Sequence, residues 1–87
     1  MNQTTNKIKG VIQLSDVKNC IGTGNYYHQF RGAIANIKNV EGGENMLFAL
    51  RRDYERYMRA YPQEDEEIEK TYRLLKKKCL LVMAECD

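Results

Sequence analysis

The sequence is poor in the residues that most often carry chemistry. It has one histidine, His28, three scattered cysteines, one proline and no tryptophan. Cys20, Cys79 and Cys86 form no CxxC pair and no cluster with His28, so no metal and no cofactor is expected. No serine, cysteine or aspartate is spaced to act with His28, and no Walker loop, HExxH helix or nucleophile elbow is present. Paired carboxylates occur only in the run EDEE, residues 64–67, where they read as helix-start residues. No catalytic residue is assigned, and the chain is read as a non-enzyme.

Long apolar runs are also missing, which argues against a membrane-spanning helix, and the opening MNQTTNKIKG lacks the apolar stretch of a secretory signal. Together with an odd cysteine count this points to free thiols in a reducing cytoplasm. The formal net charge is only +2, too little for a general nucleic-acid binder. A chain of 87 residues is expected to be one domain, with residues 1–22 as an arm and 23–87 as a helical core. At this size about 60–65 % of the unfolded surface is buried on folding, so oligomerisation is a common support.

What the sequence does have is helical periodicity. Tyr27, Phe30, Ile34 and Ile37 step by three and four, opposite an arc holding His28, Gln29, Arg31, Asn36 and Lys38. This predicts a helix over about 25–40, stopped by Gly42 and Gly43. Leu47, Leu50, Tyr54, Tyr57 and Tyr61 repeat the spacing, predicting a helix over about 44–61 that ends before Pro62. Ile68, Tyr72, Leu75, Cys79, Val82 and Cys86 predict a third helix over about 64–86, with acids early and bases later to suit its dipole. Three such helices with short loops make a mainly α, antiparallel three-helix bundle. Residues 7–14, KIKGVIQL, can be a strand or an apolar arm, and Ser15 can cap a short helix ended by Gly22. A small N-terminal sheet, and so an α+β fold, is the alternative.

Three surfaces exceed what a core requires. Phe48 falls on the polar side of the second helix among Arg51, Arg52, Arg56 and Arg59. An exposed aromatic beside arginines suits a protein-binding hot spot, and equally a platform that stacks a base and grips phosphate. The plainer alternative folds Phe48 against the loop or the N-terminal arm and leaves the arginines as a solvated face. Leu74 and Leu81 lie off the main stripe of the third helix. They can receive the arm residues Ile12 and Leu14, or form a self-association face. The stretch GTGNYYHQF, residues 22–30, reads mainly as a turn in which Asn25 caps the first helix. Its free N–H groups, at Gly24 and Asn25, with His28 and Arg31 nearby, could also hold an anion.

The expected function is a small non-catalytic binding protein that occupies another macromolecule as an inhibitor, regulator or adaptor. A protein partner and a homo-oligomer are expected; a nucleotide or nucleic acid bound through a Tyr/Phe-plus-Arg site is the alternative. No motif assigns a family. In size and style the chain is similar to small accessory proteins carried by phages and mobile elements.

Overall fold

A computed structural model describes residues 20–86. Within them lie α1 (Ile21–Ala35), α2 (Val40–Ala60), a 3-10 turn (Pro62–Glu64) and α3 (Asp65–Ala84). The three helices pack on one another, and no strand occurs among the described residues. The predicted strand over 7–14, the Ser15 cap, and Ile12 and Leu14 lie outside the described residues.

Helix directions follow from the residue pairs that meet. Tyr54 of α2 stacks on Tyr72 of α3 at 4.6 Å, while Gly43, nearer the start of α2, receives the Cys79 thiol on its carbonyl at 3.5 Å. Rising number on one helix meets falling number on the other, so α2 and α3 are antiparallel. Gly22 and Thr23 of α1 meet Glu64, and Ile34 meets Val82 across a groove. Those numbers rise together, so α1 and α3 run parallel. The core is Tyr26, Phe30 and Ile34 of α1, Leu50 of α2, and Ile68, Leu75 and Cys79 of α3. All but Tyr26 lie on the three predicted stripes, whose other members, such as Tyr27, Leu47, Tyr54, Tyr57, Tyr72 and Val82, pack partly buried around them; Tyr26 is the buried ring at the start of α1.

The first two helices begin earlier than their sequence signals imply. Asn25 does not cap α1: the cap position is Cys20, in extended backbone, and Gly22 and Gly24 lie within the helix rather than before it. Likewise Gly42 and Gly43 do not stop α1. That helix ends at Ala35, and both glycines stand in the first turn of α2. The link is residues 36–39, and Asn39 caps α2 by accepting the Gly42 N–H at 2.7 Å. Val40, the last residue of the predicted first helix, opens α2 instead.

Two of these glycines mark close approach. A Cβ on Gly22 would lie 2.5 Å and 2.6 Å from ring carbons of Tyr61, and one on Gly43 would press into Met83. Glycine as a breaker and glycine as a packing residue look alike in sequence. Here the helical cost of about 1 kcal/mol per glycine is offset by contact between elements.

Candidate binding face

The outward side of α2 is built around Phe48. Leu50, Tyr54 and Tyr57 turn one side of this helix into the bundle, which leaves Phe48 72 % exposed on the other. Among the described residues no loop covers Phe48, and the alternative in which the N-terminal arm covers it lies outside them. Around it stand Arg51, Arg52, Arg56 and Arg59, all exposed, with Glu41 and Glu44 toward the helix start.

Arg51, Arg52 and Arg56 are held in place. The Arg51 guanidinium sits 5.1 Å from the Tyr54 ring centre and 5.8 Å from that of Tyr72, and it pairs with Glu55 at 3.3 Å. Arg56 and Arg52 donate to the Asp53 carboxylate at 3.1 Å and 3.4 Å. Arg59 makes no ion pair among the described residues.

Asp53 is 0 % exposed, and a buried carboxylate is tolerated only when it is paired and hydrogen-bonded. Its second oxygen accepts the Gln29 amide from α1 at 3.0 Å, and Gln29 in turn accepts the Tyr57 hydroxyl at 2.8 Å. In the sequence Asp53 stands as one of the acids interleaved with the arginines. The signal was present: Asp53 lies three residues after Leu50 and four before Tyr57, one helical turn from each.

The tyrosines act in the core and at its rim. Tyr26, 0 % exposed, donates its hydroxyl to the Leu50 carbonyl at 2.7 Å, and burial holds that hydroxyl protonated far above the usual tyrosine range. Burial, and then the Asp53 carboxylate, also push the Tyr57 hydroxyl up, with Arg56 partly opposing. Burial raises the Cys79 thiol as well, which disfavours the reactive thiolate.

The other two surfaces come out differently. Leu74 is 6 % exposed and Leu81 is 58 % exposed, so the pair does not form one open stripe. Leu81 instead borders an open groove of about 300 Å³ between α1 and α3, with Ile34, Ala35 and Val82 along it and Arg31 and Lys78 at its rim.

The anion expected at the start of α1 is supplied by the chain itself. The N–H groups of Gly22 and Thr23 donate to the Glu64 carboxylate at 3.3 Å and 2.9 Å, and the Thr23 hydroxyl donates at 2.9 Å. The Gly24 N–H is taken by the Cys20 carbonyl, and Asn25 is an exposed helical residue. His28 is exposed one turn further on, its ring edge-on to Tyr27. No sequence signal joined Glu64 to Thr23, because 41 residues separate them.

Among the described residues no group of three metal-ligating side chains comes together, and no helix is long and apolar enough to cross a membrane. The fold and this face define a three-helix bundle with a preorganised aromatic and cationic surface. The chain matches no protein-family model, no curated protein and no solved structure.

Proposed function

We propose that this chain is a non-catalytic binding protein whose outward α2 face docks on an acidic surface of another protein, acting by occupancy as an inhibitor, regulator or adaptor in the cytoplasm. The observation that carries this reading is Phe48, 72 % exposed within a patch of arginines whose side chains are already oriented. Burying a Phe side chain contributes about 2–3 kcal/mol, and the arginines supply steering and register.

The test is affinity capture from a lysate with wild type, Phe48→Ala and Arg52→Glu/Arg59→Glu. Phe48→Ala keeps a wild-type melting curve within about 0.5 kcal/mol, and the double variant, in which Arg52→Glu removes one partner of the buried Asp53 while Arg56 and Gln29 remain, loses about 1–2 kcal/mol and stays folded. Both lose the captured partner. If each retains the same partners as wild type, the α2 face is not the binding surface.

A bare aromatic ring beside arginines also fits a nucleobase and phosphate. That second reading predicts a thermal shift with nucleotides or oligonucleotides, lost in Phe48→Ala. Tyr54 and Tyr72 are poorer platforms, because their rings already carry Arg51 and Lys76.

A further inference from the structure

The exposed charges of α2 are not scattered. Glu41 and Glu44 stand toward its start, and the arginines cluster from Arg51 onward with Glu55 among them, paired to Arg51. At about 100° per residue, Glu41 and Arg59 share one azimuth on the outward side, and Phe48 and Arg52 lie about 20° to either side of it. These four residues therefore form the central line of the exposed face. The line runs acid, aromatic, cation, cation.

Such a line is complementary to its own reverse. Glu41 and Arg59 have residue 50 as their midpoint, and so do Phe48 and Arg52. One two-fold axis at the height of Leu50 therefore satisfies both pairs at once. An antiparallel second helix then places Glu41 against Arg59 and Phe48 against Arg52, twice each by symmetry. Asn45, a neutral amide, falls at the height of Glu55, so that position brings no like charges together. The matched stretch is about 27 Å long at about 1.5 Å per residue, within the reach of a shallow helix crossing.

We propose that the docking face of α2 pairs with the same face of a second copy of this chain, antiparallel, through Glu41–Arg59 and Phe48–Arg52 contacts across the two-fold axis. The proposal rests on the reading of this face as a docking surface, for which the second copy and the acidic partner compete. Neither Glu41 nor Arg59 has an ion-pair partner among the described residues, so pairing breaks no salt bridge there. Arg52 keeps its exposed guanidinium edge while bonded to Asp53. The Phe48 ring then gains a cation on its face, and the two rings leave water near the centre of the contact.

Sedimentation equilibrium over a concentration series tests this. Wild type shows a monomer–dimer equilibrium that weakens in salt. Glu41→Arg alone and Arg59→Glu alone each set like charges opposite one another twice, and each dimerises at least about tenfold more weakly. Mixed in equal amounts, the two variants restore association, because the arginine introduced at position 41 of one then faces the native Arg59 position of the other, which now carries a glutamate. The double variant Glu41→Arg/Arg59→Glu also dimerises. Wild type that stays monomeric to about 1 mM, where an interaction would be worth no more than about 4 kcal/mol, overturns the pairing. So does a mixture that fails to associate. Either result leaves the capture experiment with Phe48→Ala as the separate test of the docking face.

Discussion

Replacing Glu64 tests how the chain holds its first helix. This carboxylate is 9 % exposed and accepts three hydrogen bonds from the start of α1, two from Thr23 and one from Gly22. In Glu64→Ala all three acceptors vanish. Thr23 is 2 % exposed, so water has little access to replace them. A hydrogen bond to a charged group contributes about 1.5 kcal/mol or more, the longer Gly22 contact less, and a carboxylate at a helix start adds roughly 0.5 kcal/mol. The sum is about 4 kcal/mol, which for a domain of this size lowers Tm by roughly 20 °C. Glu64→Gln keeps an oxygen for Thr23 but turns an amide N–H toward Gly22, and loses about 1–2 kcal/mol. The assay is thermal unfolding followed by circular dichroism at neutral pH, within a double-mutant cycle against Thr23→Val. The two positions should be coupled by about 1 kcal/mol. A Glu64→Ala protein within about 0.5 kcal/mol of wild type, or strictly additive effects in the cycle, would refute the reasoning.

Glycine substitutions should split by environment. Gly32→Ala meets nothing within 4 Å among the described residues and stabilises α1 by about 0.5–1 kcal/mol, whereas Gly43→Ala drives a Cβ into Met83 and destabilises by about 1–3 kcal/mol; chemical denaturation reads both. The Thr71 hydroxyl is buried without a hydrogen-bond partner among the described residues, so Thr71→Val should raise the denaturation midpoint, by about 1 kcal/mol in stability. Raised values for Tyr26, Tyr57 and Cys79 mean that the folded chain keeps protons that the unfolded chain releases. Stability is therefore complete below the ordinary values of 9.0 for the thiol and 10.0 for tyrosine and falls as pH climbs past them. Tyr26 alone removes about 1 kcal/mol between about pH 10 and 11, and the pH dependence of denaturation should flatten in Tyr26→Phe.

The helical bundle was legible because its signal is local and repeated. Leu47, Leu50, Tyr54 and Tyr57 state their own face without reference to the rest of the chain, and so do Ile68, Tyr72, Leu75 and Cys79. The starts of the first two helices were not legible, because Gly22 and Gly43 are placed by partners elsewhere: Tyr61 and Met83 occupy the space a side chain would need. A rule that reads glycine as a stop is right only where nothing packs on it. Glu64 shows the same limit for charge. Its neighbours in sequence made it one acid in a helix-start run, and only the fold brings it to Thr23. The exposure of Phe48 was legible from the wheel alone. The division of Leu74 from Leu81 was not, because two residues on one side of a helix differ in cover once neighbouring elements are in place.

Asp53 connects the fold of this chain to its candidate function. Its carboxylate is inside the bundle, yet it reaches the outward arginines: Arg52 and Arg56 donate to one oxygen, and Gln29 of α1 donates to the other. The docking of α1 on α2 and the posture of the arginines thus depend on one group. Freely rotating arginines lose about 0.5–1.5 kcal/mol each when a partner immobilises them, and tethering to Asp53 removes part of that loss before any partner arrives. Asp53→Asn keeps the shape and can still accept from Gln29, but it abolishes the charge that holds the guanidinium groups. It should weaken whatever binds the α2 face more than Arg56→Lys does, while Phe48 stays as exposed as before. If Asp53→Asn bound as tightly as wild type, the arginines would not be preorganised by this carboxylate, and the binding energy of the face would have to come from Phe48 and simple charge alone.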